Sequence, residues 1–493
     1  MIFFVNITIS NSKRIKNNVK NNPIKYKIPI LATQNQTNYK IIMKNILIIG
    51  AGRSATALIK YLLDHSETEN LKLTVADLNI ELAKKSTMNH PNATAISLNI
   101  SDEIERRNAI EKADIVISML PAFMHIEVAK DCITFKKNLV TASYISNEMR
   151  ELDEEVKNAG LIFMNECGLD PGIDHMSAMK VLDKIREEGG KPIHFESFCG
   201  GLVAPESDNN LWNYKFTWNP RNVVLAGQGG AAKFLQQGSF KYIPYQRIFR
   251  RTEFLDIEGY GRFEAYANRD SLSYRKVYGL ENAHTIYRGT IRRVGYSRAW
   301  NLFVQLGLTD DTYQIEGSEN MTNREFINSF LYYHPTDSVE VKFRLTLSIP
   351  QDDVIWDRLI ELDLFNDTNK IGLINATPAQ ILEKILADKW TLEPDDKDMI
   401  VMYHKFGFVM NGSAKQIDAT MVCIGENQVQ TAMAKTVGLP VAIATLLILN
   451  NKISTKGVIM PIEKEVYNPI LDELEKYGII FKEIEVPYEG EIM

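Results

Sequence analysis

"NILIIGAGRSATALIKYLL" occupies residues 45–63, and its reading decides the first half of the fold. "NILIIG" is a short aliphatic run that stops at a glycine, as a buried strand does. "GAGRSATALIKYLL" then takes a helical period, with Ala57, Leu58, Tyr61 and Leu62 on one face. Between the two, Gly50, Gly52 and Ala55 form G-x-G-x-x-A. In such a loop Gly50 permits a tight turn and Gly52 lets the backbone approach a pyrophosphate. Ala55 lets the helix pack closely on the strand, and the helix N-terminus offers N–H groups to an anion. With Ala51, Arg53 and Ser54 between them, these residues form a candidate dinucleotide site.

The rhythm continues outward. "LKLTVAD" (71–77), "ADIVISML" (113–120), "NLVTASY" (138–144) and "AGLIFMNEC" (159–167) alternate with helical stretches, which predicts an α/β fold with a parallel doubly wound sheet. Asp77 ends the second strand at the spacing expected after the glycine loop. A carboxylate there accepts hydrogen bonds from the ribose hydroxyls of NAD and repels the 2′-phosphate of NADP. Neither Arg53 nor Lys84 is an obvious partner for that phosphate, so NAD is the expected cofactor and NADP the alternative. "SMLP" (118–121) and "TASY" (141–144) place Leu120, Pro121 and Ser143 at later strand ends, where cofactor and substrate contacts gather. A plain strand-end turn is the competing reading of each.

The chain has 493 residues, enough for two or three domains, with 45% hydrophobic and 24% charged residues. Its net charge of −6 gives no reason to expect nucleic acid. Cys132, Cys167, Cys199 and Cys423 have neither metal-ligand spacing nor a dense disulfide pattern, so no metal is expected and a reducing, cytoplasmic setting fits. No apolar run reaches the roughly 20 residues that span a bilayer; "LPVAIATLLIL" (439–449) comes nearest, and no membrane partner is expected. Residues 1–42 are rich in Asn and Lys and contain no Asp or Glu. They read as a disordered extension, or as a start assigned ahead of Met43.

After Gly168 the texture changes. "SAMKVLDKIREEGG" is helical, with Ala178, Val181, Leu182 and Ile185 on one face. "HFESFCGGL", "YKFTW", "RFEAYANRDS" and "TIYRGTIRRVGY" read as strands of a mostly antiparallel sheet, with Tyr214, Lys215 and Trp218 alternating along one of them. Residues 300–395 are helical, "DMIVMYHKFGFVM" and "AKQIDATMVCIGE" return to strand, and the tail is helix, helix, strand. In "GLDPGIDHM" (168–176), Asp170 reads as a helix N-cap with Pro171 at the first helical position. His175 reads as a packed helix residue. Arg269 in "NRDS" and Arg288, Arg292 and Arg293 in "RGTIRR" are cations able to pair bidentately with carboxylate. Period 2 puts Arg288 and Arg292 on one face of a strand and Arg293 on the other. A solvated surface is the competing reading. Cys199 precedes two glycines, so a ligand or another backbone approaches there; a buried small side chain is the plain alternative.

"NECGLDPGIDHM", "CGGLVAPESDNNLWNYKFTWNPR", "ANRDS", "RGTIRRVGY" and "TAMAKTVGLPVAIA" closely resemble the saccharopine reductase family, the glutamate-forming saccharopine dehydrogenases. The resemblance covers about Met43 to the C-terminus. It implies a Rossmann domain over 43–168 completed by about 430–493. It also implies an α/β substrate and dimerisation domain over 169–300 and about 396–429, and a small helical domain over 301–395. It implies a homodimer that interconverts saccharopine with L-glutamate and 2-aminoadipate 6-semialdehyde, by hydride transfer at a carbon–nitrogen bond.

By the same resemblance Ser143, Tyr144, Asp170, Trp218, Arg269, Thr290, Ile291 and Arg292 contact the substrate. Ser143, Leu169, Asp170 and Pro171 also border the cofactor. Asp170, Tyr144 and Cys199 are the candidates for acid–base work, Asp170 being best suited by type if burial raises its pKa. Fungal members that use NADP carry an Arg where this chain has Asp77. The resemblance does not extend to the lysine-ketoglutarate reductase half of the bifunctional animal and plant enzymes. Two rival readings are a dehydrogenase for another amino-acid-derived imine, such as carboxynorspermidine, and a non-catalytic dinucleotide sensor.

Overall fold

A computed structural model describes residues 43–228 and 230–490; the expected extension over 1–42 lies outside the described residues. The first series of strands is β1 (Lys44–Ile49), β2 (Leu71–Asp77), β3 (Ala93–Ser97), β4 (Ile115–Ser118), β5 (Asn138–Thr141) and β6 (Ile162–Met164). They pair in parallel in the order β6-β5-β4-β1-β2-β3, with Ile48 level with Val75 and Ile117. Helices cover both faces, so β1 is apolar throughout its centre rather than alternating: Ile46, Leu47, Ile48 and Ile49 are all buried. The winding reverses between β1 and β4, which puts the glycine loop at the crevice where such sheets bind ligands. Helix α1 (Thr56–Asp64) follows that loop and buries Leu58, Ile59 and Leu62.

The second sheet contains β7 (Lys191–Val203), β8 (Ala232–Gln236), β9 (Ser239–Ile243), β10 (Thr252–Ile257), β11 (Gly261–Ala267), β12 (Thr285–Arg293), β13 (Asp398–Met410) and β14 (Ser413–Ile424). Its pairings are antiparallel except where β12 runs parallel to β7. Alternation splits each strand between two cores. Phe195, Ile286, Met402 and Phe406 pack with Ile173, Met176 and Leu182 of α2 (Ile173–Glu187). Phe198, Tyr287 and Ile291 face the opposite way, into an aromatic core built on Trp212, Trp300 and Trp390. Those last two tryptophans belong to α3 (Tyr296–Leu306) and α4 (Pro378–Trp390), so the helical region shares its core with the sheet.

Two expectations change here. Residues 213–219 are not a strand: Phe216 makes one isolated bridge to Thr391, and Lys215 is drawn into a buried ion pair with Asp396 at 2.5 Å. Those tertiary contacts override the alternating aromatic pattern. The tail is also divided. Helix α5 (Ala432–Leu449) packs on α1 and is followed by β15 (Gly457–Ile459), which extends the first sheet beside β6. Helix α6 (Lys464–Glu475) leads to β16 (Lys482–Val486), which joins the second sheet beside β14. The last strand therefore completes the second sheet and not the parallel one. α5 is 18 residues long and apolar enough to cross a membrane, but 78% of it is buried within the fold, as befits a core helix.

Candidate active site

The glycine loop has the geometry its sequence calls for. Gly50 sits at φ +102°, and a Cβ there would lie 2.9 Å from the Met119 carbonyl oxygen. A Cβ on Gly52 would meet nothing within 4 Å, so the protein's own packing does not demand glycine there, and space is left for a ligand. A short 3-10 turn, Arg53–Ala55, leads into α1; Ala55 is buried, Ser54 half-buried and Arg53 exposed. Asp77 is fixed at the end of β2, its Oδ2 accepting from the Ala51 N–H and its Oδ1 from the Asn79 N–H, both at 2.8 Å. These residues fit a dinucleotide: open backbone at the turn, a helix N-terminus, and a carboxylate at the ribose position.

Leu120 and Pro121 follow β4 at the same edge, half-buried and exposed respectively. Ser143 is tied down by a residue the sequence reading passed over. His125 bridges the Ser118 hydroxyl at 2.8 Å and the Ser143 hydroxyl at 2.7 Å. Burial holds its imidazole down to about 4, so the ring is neutral near pH 7 and one nitrogen donates while the other accepts.

The junction of the two sheets carries an ion cluster. Asp170 is not an N-cap; the helix begins at Ile173 and Gly172 takes the cap position, at φ +148°. The Asp170–Pro171 peptide is cis, and Leu169 lies buried just before it. Asp170 Oδ1 accepts from the Tyr144 hydroxyl at 3.1 Å and from Arg288 Nη2 at 2.5 Å. The same nitrogen reaches Asp174 Oδ2 at 2.6 Å, while Asp174 Oδ1 accepts from the Gly172 N–H. The Arg288 guanidinium lies 4.5 Å over the Tyr274 ring.

Behind Asp174, His175 is fully buried and bonded on both ring nitrogens, to Glu166 at 2.8 Å and to the Tyr278 hydroxyl. It is a packed helix residue, as expected, but one inside a polar network. Burial pushes the Asp170 carboxyl above its usual range, with Arg288 opposing the shift. Asp174 is buried as well, yet the neighbouring His175 and Arg288 hold it below. The two carboxyls sit a few ångströms apart in environments that drive their protonation in opposite directions.

Cys199 lies in β7 between this cluster and Arg292. Burial, then Asp170 and Asp174, raise its thiol well above normal. What comes close to Gly200 is backbone, a Cβ there lying 2.5 Å from the Ile291 carbonyl oxygen, whereas Gly201 faces the Met433 side chain. Tyr144 is likewise held as a phenol, by burial and then by Asp170.

Arg269 is exposed, at φ +44°, with its guanidinium 5.3 Å over the Tyr144 ring. Thr290 and Arg292 share one face of β12 with Arg288, and Trp218 stands half-buried at the end of the irregular 213–219 segment. Ile291 differs. Alternation turns its side chain away from that face into the aromatic core. Arg292 is 4% exposed and stacked near Tyr214, Tyr266 and Tyr296, at 5.0, 6.0 and 5.3 Å. Its Nη1 donates to the Ile291 carbonyl, and its Nε has no partner. No carboxylate among the described residues forms an ion pair with it. Glu264, directly across the strand pair, is occupied by the Gly295 and Ser297 N–H groups.

A glycine-loop dinucleotide fold beside a buried ion cluster at the edge of a second sheet is the architecture of a dinucleotide-binding oxidoreductase, and comparisons with known proteins bear that class out. Two family models match in tandem: saccharopine dehydrogenase NADP binding domain over residues 46–164, and saccharopine dehydrogenase C-terminal domain over residues 168–479. The chain belongs to the saccharopine dehydrogenase family.

It is similar to the saccharopine dehydrogenase [NADP(+), L-glutamate-forming] of Saccharomyces cerevisiae, 34% identical over 451 residues, 89% of this chain and 99% of that one. It is also similar to the mitochondrial alpha-aminoadipic semialdehyde synthase of Rattus norvegicus, 35% identical over 447 residues. That match covers 89% of this chain and 47% of the relative, so the chain spans about half the length of such relatives. The solved apo structure of the L-Glu-forming Saccharomyces cerevisiae saccharopine dehydrogenase superimposes with a TM-score of 0.80 at 32% identity, covering 90% of this chain and 100% of that one.

Proposed function

We propose that the chain interconverts saccharopine with L-glutamate and 2-aminoadipate 6-semialdehyde. The observation that carries the reading is Arg292: a buried cation with an open Nε and no carboxylate of its own. Saccharopine brings three carboxylates, and a bidentate pair with one of them would satisfy that guanidinium. Exposed Arg269, 5.3 Å over Tyr144, is placed to hold a second.

The bound nicotinamide supplies a hydride acceptor. The chain's own residues hold the secondary amine beside Asp170, with Tyr144 donating to that carboxylate. Asp170 takes the amine proton, so that the carbon–nitrogen double bond can form as hydride leaves the neighbouring carbon. Water then adds to that carbon, and the carbinolamine collapses to glutamate and the aldehyde.

The names of the matching domain and of the fungal relatives point to NADP. Against them stands Asp77, a charge at the ribose position of this chain. Our reading is that NAD is used and NADP is the poorer substrate. The test is purified protein with saccharopine and either cofactor, following the absorbance of the reduced form. Absence of reduction with both cofactors sinks the reaction. Faster reduction of NADP sinks the Asp77 argument alone.

A further inference from the structure

The run "RGTIRR" offers three arginines to a substrate rich in carboxylates, and the structure removes one of them. Arg288 is 5% exposed, and one of its nitrogens is already shared between Asp170 and Asp174. Its backbone N–H donates to the Ser271 hydroxyl at 2.9 Å, which fixes the strand beneath it. Asp174 is held by the Gly172 N–H, and His175 behind it is held by Glu166 and Tyr278. The chain of contacts thus runs from the buried core to Asp170, whose side chain is 16% exposed against 1% for Asp174. Asp170 shares its one guanidinium with Asp174, and a substrate ammonium would bring a second cation beside it.

We propose that Arg288 is a positioning residue: it fixes Asp170 at the cleft and favours its anionic form, so that Asp170 accepts the proton of the substrate's secondary ammonium. The inference rests on the reading of Asp170 as proton acceptor. In the step an N–H bond breaks and an O–H bond forms at Asp170. The electron pair stays on nitrogen, ready for the double bond. Asp170 is faced by Tyr144 from the loop after β5, by Asp174 and His175 of α2, by Cys199 of β7, and by Arg288 of β12. Tyr274, and Arg269 over Tyr144, complete its charged and titratable surroundings.

The acidic limb of kcat/KM for saccharopine oxidation tests the proposal. In Arg288→Gln the limb moves to higher pH by about one to three units, the range for removing an adjacent opposite charge. Arg288→Lys returns it part of the way. Asp174→Asn removes a like charge and moves the limb to lower pH, an arm that stands even if Arg288→Gln does not fold. Opposite shifts in the two variants are outside what loosened packing alone produces. A limb unchanged in Asp174→Asn and, where it folds, in Arg288→Gln, with Asp170→Asn still about 10²-fold slower, overturns the role of Arg288. Near-normal turnover of Asp170→Asn instead removes the reading beneath it.

Discussion

Arg288 and Arg292 share one face of one strand, two pleat repeats apart, and meet opposite surroundings. Arg288 is neutralised inside the protein by two carboxylates. Arg292 lies as deep, yet has three tyrosine rings and a backbone carbonyl for company. Aromatic faces attract a guanidinium but do not cancel its charge. The difference separates a cation that holds the site together from one kept for a ligand. Charge alone does not distinguish them; what the facing elements already supply does.

The comparison can be broken by experiment. Its largest expected effect is on stability. Arg288→Met strips Asp170 and Asp174 of the guanidinium they share and costs about 3–5 kcal/mol in urea or guanidinium unfolding. Unaltered stability would mean that Asp170 and Asp174 are not charged together in the free protein. Arg292→Met strands no carboxylate, so its unfolding midpoint changes little. Its kcat/KM for saccharopine falls about 10²-fold or more, as for a buried charge pair that loses one partner, while cofactor affinity measured by fluorescence titration stays normal. If both arginines give the same pattern, the division of roles fails.

Arg292→Lys sharpens the point. It keeps the charge and loses the planar fork, so it should lose about 1.5 kcal/mol of binding, the low end for a hydrogen bond to a charged group. The smallest effect belongs to Arg269→Met. An exposed cation is screened, so a loss of about 1 kcal/mol or less is expected, and it should shrink further as salt is raised. A salt-independent loss would place Arg269 deeper in the occupied site than in the free protein.

The same two arginines mark how far sequence reasoning reaches. Strand alternation put both on one face, and that holds. Which one is paired depends on Asp170 and Asp174, more than 100 residues away along the chain, and no local pattern carries that information. The glycine loop was legible because its parts are contiguous and each answers to a local requirement, such as the φ of Gly50. The helix start was misread at Asp170 because Gly172 offered the cap a backbone that an aspartate there did not need to provide. The 213–219 segment alternates like a strand, yet it is pinned by Asp396 and Thr391 from a distant part of the chain. β15 is three residues long, below what periodicity detects. His125 gave no signal, because its two serine partners stand on different strand ends.

The tail described above has a practical consequence. The polypeptide passes from the first sheet to the second after β6, returns for β15, and leaves again for β16. No contiguous stretch of the gene therefore encodes either sheet whole without a part of the other. A fragment ending at Met164 would expose the edge of β6 and strip α1 of the helix that Gly438 brings against Leu58, where a Cβ would stand 2.8 Å from its N. Any cut between the two sheets parts each of them from an edge strand that the tail supplies, so an exchange of the dinucleotide fold keeps its full sheet only if it carries the tail along.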